Sequence, residues 1–136
     1  IIAGYKEDLN KCFFSYNQGL NSRFTWRFNI DKYDYKELFL IFEKKVNEQG
    51  WKIKENVKDE WFNEKKDYFK FYGRDIETLF AKIKIAHSKR VFCLDDDKKR
   101  IITKKDMDNG FKLFTENEEV KSRVDKDFNT MKFMYM

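Results

Sequence analysis

From residue 34 onward the apolar positions recur every three or four residues; before it they do not. Tyr35, Leu38, Phe39, Phe42 and Val46 have the spacing of one helix face. The run opens on Asp34-Tyr35-Lys36-Glu37, a capping box. In it the Asp34 carboxylate accepts the backbone N–H of Glu37, and the Glu37 side chain reaches back. Gly50 closes this helix. A second helix is predicted over 57–70, with Trp61, Phe62, Lys65, Tyr68 and Phe69 sharing a face. A third opens at Gly73 and carries Ile76, Leu79, Phe80, Ile83, Ala86 and Val91 as a stripe. The run "LDDDKKR" interrupts it as a polar loop. "IITKKDMDNGFKLF" opens a fourth, with Thr103 and Asp106 as a capping pair and Met107, Phe111 and Phe114 inward. Beyond Glu116 the pattern weakens, although Val124, Phe128, Met131 and Met134 are spaced for one more amphipathic helix.

Residues 1–31 read differently. "IIAG" is too short for a helix and has the character of a buried strand end. "KEDLNKCFFSYNQGLNSRF" is helix and turn material, and "WRFNI" alternates as a second strand. Two strands this far from any partner do not make a sheet that stands by itself. The expectation is therefore an end of an α/β domain over 1–31, a small helical domain over 32–118, and a tail over 119–136 with helical potential. The strands would need a cover: an upstream segment, another copy, or exchange of elements between copies. The first residue is Ile rather than Met, which is expected of a piece of something larger.

Composition agrees with a packed chain. Of 136 residues 41% are hydrophobic and 15 are Phe, too many for a disordered sequence. Charge is high at 39%, but 29 Lys+Arg stand against 24 Asp+Glu and the two signs are mixed. The net +5 is thus a weak argument for nucleic acid, and a salt-laced helical surface is the plainer reading. Cys12 and Cys93 form no Cys-x-x-Cys pair and the chain has one histidine, so no zinc site is expected. Both cysteines are expected to be small buried hydrophobes in the cytoplasm or another reducing compartment. No apolar run approaches the ~20 residues of a membrane span.

Candidate chemistry is sparse. Asp95–Asp97 precede "KKR" and read as a solvated loop before a magnesium site. His87, beside Ala86, reads as a satisfied core or surface histidine before a ligand. There is no G-x-x-x-x-G-K-[ST] phosphate loop (Walker A) and no apolar run ending in paired acids (Walker B). More informative is "GLNSRFTWRF", which sets Arg23 and Arg27 four apart on an aromatic segment where a helix end turns into a strand.

In this order, "IIAGYKEDLNKCF", "NQGLNSRF", "WRFNID", "YDYKEL" and the Gly73-Arg74 pair resemble the second half of an AAA+ ATPase module. The likeness is to the branch of red-type rubisco activases and the stage V sporulation ATPase, and it covers residues 1–115. It implies a mainly α fold: a four-helix AAA+ lid bundle preceded by the last strands and helix of an α/β P-loop NTPase core. By the resemblance, Arg23 is an arginine finger that enters a neighbouring subunit's nucleotide site. Arg27 is either a second finger or the partner of a carboxylate. Arg74 is the sensor-2 residue, with Gly73 and Ile76 beside it at the nucleotide. The strand end at Gly4 and Tyr5 departs from the Thr or Asn common at sensor 1, and neither residue is assigned a catalytic role.

The resemblance further implies ATP and Mg2+ in the parent protein, none bound by this chain alone, and no hydrolysis without the missing motifs. Its partners would be neighbouring ATPase subunits in a homo-oligomeric ring, expected as a hexamer, remodelling a protein or nucleoprotein client away from any membrane. Two alternatives stand beside it. One is a basic helical nucleic-acid-binding module built on "KIKIAHSKR" and "DDDKKRIITKK". The other is a non-catalytic assembly piece that kept the ring geometry.

Overall fold

The Asp34 capping box forms as its sequence dictates. The Glu37 carboxylate accepts the Asp34 N–H at 2.8 Å, and helix α3 runs Tyr35–Glu48 from that cap. In this computed structural model, which describes residues 1–96 and 99–124, α3 opens the second of two units. The first unit is Ile1–Lys32 and the second begins at Tyr33. Helices are the regular elements described in the first unit and predominate in the second.

The first unit holds α1 (Lys6–Asp8), continued by a π-helical turn over Leu9–Phe13, and α2 (Gln18–Arg23). The predicted strands "IIAG" and "WRFNI" do not form: neither segment has a ladder partner among the described residues. A strand is defined by the neighbour that takes its N–H and C=O groups, and alternation of side chains cannot supply one. Trp26, Phe28 and Ile30 consequently stand 84%, 85% and 88% exposed, alternating with Arg27, Asn29 and Asp31. The order strand, helix, strand is corrected to helix, helix, extended chain.

In the second unit α3 is closed by Gly50 at φ +71, the left-handed conformation that glycine takes without a Cβ clash. The predicted helix over 57–70 is corrected to α4 (Glu60–Asn63) and a 3-10 turn (Lys66–Tyr68). Asn63, Asp67 and the crowded aromatics are poor helix formers, and tertiary contacts decide the shape. Phe62 is fully buried, and Phe69 packs against both Phe62 and Phe114, each ring 5.7 Å away.

The long α5 (Gly73–Val91) and α6 (Lys104–Thr115) follow the predicted stripes. Leu38, Phe42, Val46, Ile76, Leu79, Phe80, Ile83, Met107 and Phe114 form the core between α3, α5 and α6. A parallel pair unforeseen in the sequence, β1 (Lys52–Ile53) with β2 (Ile101–Ile102), ties the chain after α3 to the chain before α6. Residues 118–124 add a helical turn. Of the tail helix predicted there, Phe128, Met131 and Met134 lie outside the described residues.

Helices α5 and α6 approach closely at Gly110 of α6. A Cβ there would lie 2.5 Å from Ile83 Cγ1, 2.7 Å from its Cα and 2.8 Å from its N. Because the obstacle includes backbone of α5, a rotamer change cannot relieve it. Alanine gains ~1 kcal/mol of helix propensity over glycine, but the clash forces the helices apart at a cost of roughly 3 kcal/mol. Gly110→Ala is therefore expected to lower the urea midpoint. An unchanged or raised midpoint would show that α5 and α6 are not in contact at this point.

Candidate functional site

Asn17 begins α2 by accepting the Gly19 N–H at 2.9 Å, and Phe24, at φ −100 and ψ 76, ends it. Arg23 is the last helical residue and is exposed. Phe13, Phe14 and Phe24 gather behind it, with edge-to-face centroids 5.2, 5.7 and 5.9 Å apart. Arg27 is committed locally. Its Nε donates to Phe24 O at 3.3 Å, Nη2 donates to Asn21 O at 3.2 Å and to Asn21 Oδ1, and Cζ lies 4.5 Å from the Phe14 ring centre. The Arg23 side chain makes no hydrogen bond or ion pair among the described residues. The two arginines thus differ in kind, one bracing the turn and one left free at its tip.

The second candidate constellation is the head of α5. Tyr72 precedes the helix at φ 41 and ψ −105, a conformation costly for a residue with a Cβ, by about 1–3 kcal/mol. A Cβ on Gly73 would meet nothing within 4 Å, so there is open space beside the first residue of the helix. Arg74 is exposed, and its guanidinium carbon lies 4.4 Å from the Phe71 ring centre. It pairs with no carboxylate among the described residues. Ile76, by contrast, is fully buried in the core. Gly73 and Arg74 therefore share an open helix head with Ile76 packed beneath them, while Arg23 and Arg27 belong to the other unit.

Two buried polar clusters were not foreseen. In the first, Asp75 Oδ2 accepts both the Phe71 N–H at 2.7 Å and Arg123 Nη1 at 2.8 Å, and Arg123 Nη1 also donates to Tyr68 O at 2.9 Å. The available signal was an aspartate on the inner side of α5 next to Ile76. Its partner, in a weakly patterned tail, offered none. In the second cluster, Asp106 is 1% exposed and accepts from Arg90 Nε at 2.7 Å and Nη2 at 2.9 Å. It also accepts from the Thr103 N–H and hydroxyl, both at 3.0 Å, and lies 3.2 Å from His87 Nδ1. Burial pushes the Asp106 carboxyl up, but Arg90, Thr103 and His87 overcome it and hold it at about 2. The same pairing raises the Arg90 guanidinium.

Of the core and surface places expected for His87 the core one is found, with its ring centre 4.9 Å from that of Trp51, but the side chain is not fully satisfied, its Nε2 having no partner among the described residues. Cys12 and Cys93 are free and exposed, correcting the expectation that both are buried. Asp95 and Asp96 are exposed and Asp96 pairs with Lys99, while Asp97 lies outside the described residues. No group of three His, Cys, Asp or Glu side chains among the described residues is placed to hold a metal. No described helix is long and apolar enough to cross a membrane.

The chain is 44% identical over 135 residues to a cfxQ-like protein of Acanthamoeba polyphaga mimivirus, a match that covers 96% of this chain and 33% of that protein. It thus spans about a third of the length of the curated relative it matches. No family model matches the chain. No solved structure matches it either.

Proposed function

We propose that this chain is the closing part of an AAA+ ATPase module, in which the second unit serves as the helical lid and the first supplies an arginine finger. ATP is the substrate, and the complete protein works as a ring that remodels a macromolecular client. The observation that carries this reading is Arg74. It stands at the open head of a 19-residue helix, supported by an aromatic ring and lacking a carboxylate partner among the described residues.

In this unit Arg90 and Arg123 are each paired with a buried carboxylate, Asp106 and Asp75. An arginine that stacks on a ring instead keeps its planar fork of donors available for phosphate oxygens. Arg74 reads the nucleotide of its own subunit, and closing the lid brings that guanidinium up to the phosphates. Arg23 acts on the phosphate of a neighbouring subunit. The steps assigned to this chain are contacts of arginine with phosphate oxygens. The exposed row Trp26, Phe28 and Ile30 supports membership of a larger sheet, since alternation of this kind is what a strand shows without its neighbours.

Within the segments that suggested a nucleic-acid module, Arg90 is committed to Asp106 and Lys99 to Asp96, which takes two cations out of the basic patch. Arg74→Ala in the complete protein is expected to lower kcat/KM for ATP about 10- to 100-fold, the loss of one charged hydrogen bond. Steady-state ATP hydrolysis measures it. Unchanged kinetics would remove the lid from nucleotide sensing.

A further inference from the structure

The structure assigns to Arg123 the role of a positioning residue that holds the head of α5, and with it the Arg74 guanidinium, in the form that meets the nucleotide. This rests on the nucleotide reading of Arg74. The two arginines meet at Phe71: their guanidinium carbons lie 4.4 Å (Arg74) and 5.1 Å (Arg123) from the centre of the same ring. The backbone of Phe71 is held as well, because its N–H donates to the Asp75 oxygen that also accepts Arg123 Nη1. The Arg123 and Asp75 side chains are 10% and 6% exposed, so this is a buried ion pair at 2.8 Å. Arg123 Nη1 ties down Tyr68 O in addition, and Nη2 lies 3.4 Å from Glu119 on its own helical turn.

Removing Arg123 would leave Asp75 as a buried charge with a single backbone donor. Such a carboxylate turns toward water. Phe71 then loses its N–H acceptor and one of its two guanidinium neighbours, and Tyr72, held at φ 41, has little reason to stay there. The loop that relaxes carries the ring on which Arg74 rests. A residue in the helical turn over 118–124 thereby sets the geometry of the helix head, and a partner or nucleotide that shifts that turn would shift Arg74. The link to the Phe71 backbone runs through one oxygen atom, Asp75 Oδ2, and the link to its side chain through the ring that both arginines face.

The test uses the complete protein, with Arg123→Ala, Arg123→Lys, Arg74→Ala and the Arg74→Ala/Arg123→Ala double variant. Amide hydrogen exchange is expected to accelerate at least about tenfold at Phe71 in Arg123→Ala, as one hydrogen bond is released. Both bonds to Asp75 and Tyr68 leave a single nitrogen, so a lysine ammonium can supply them. Arg123→Lys is therefore expected to stay within about threefold of wild type. At a temperature where every variant is folded, kcat/KM for ATP is expected to fall in Arg123→Ala as in Arg74→Ala. The double variant is expected to be no worse than Arg74→Ala alone.

Unchanged Phe71 exchange in folded Arg123→Ala overturns the proposal. So do kinetic losses that simply multiply in the double variant, or an effect of Arg123→Ala confined to thermal stability. If Arg74→Ala leaves ATP kinetics untouched, the nucleotide reading fails, and the exchange comparison alone decides whether Arg123 positions the helix head.

Discussion

Alanine at position 23 is expected to lower ATP turnover of the complete protein by about 10³-fold or more, with nucleotide binding retained. The size follows from where charge appears. During phosphoryl transfer negative charge builds on the γ-phosphate oxygens, and a guanidinium already in place stabilises that state more than the bound substrate. Such help requires rigidity. Here Asn17 caps α2, Arg27 binds the carbonyls of Asn21 and Phe24, and three phenylalanine rings pack behind the turn. Arg23 itself is left unengaged among the described residues. Lysine at 23 should rescue poorly, since it lacks the planar fork.

The proposed finger would serve a neighbour, so mixing supplies the decisive measurement. Subunits with Arg23→Ala hold a competent nucleotide site, and subunits lacking only the phosphate loop hold a competent finger. Together they are expected to recover turnover that neither shows alone. Failure to recover, with mixed rings demonstrated, would place the finger in its own subunit or nowhere.

Asp106→Ala is expected to cost about 3 kcal/mol of folding stability, near the lower end for breaking a buried pair. Arg90 is 27% exposed and regains some water, which limits the loss. Against that, the N-cap network of α6 loses its Thr103 contacts, and His87 loses its partner inside the core. For a helical unit of about 100 residues such a change lowers Tm by roughly 10–20 °C.

The pH dependence identifies the cause. The Asp106 carboxyl falls from an ordinary 3.8 to about 2 on folding, so between those values the unfolded chain binds more protons than the folded one. Stability therefore rises with pH across that window, and roughly 2 kcal/mol present above pH 4 is lost by pH 2. Urea titrations at pH 7 and across the acid range should show this decline in the wild type. They should show it flattened in Asp106→Asn, which keeps the side-chain size. Equal slopes would mean that Asp106 is not held by Arg90 and Thr103 in solution.

What could be read from residue order alone was whatever is written within three or four positions. The capping boxes at Asp34 and Thr103, the stop at Gly50 and the stripes of α3, α5 and α6 all have that range, because a helix satisfies its own hydrogen bonds locally. Arg23 and Arg74 stood out through short motifs of the same kind. The remaining features depend on partners far along the chain. "WRFNI" alternates like a strand yet has no ladder, whereas Lys52 and Ile53, without any strong pattern, pair with Ile101 and Ile102. Asp106 read as a cap and turned out to anchor Arg90 and His87, and Asp75 found its counter-charge in Arg123. Helix formation is settled by neighbours in sequence. Pairing of strands and neutralisation of buried charge are settled by which surfaces the packed helices bring together, and only the folded arrangement contains that information.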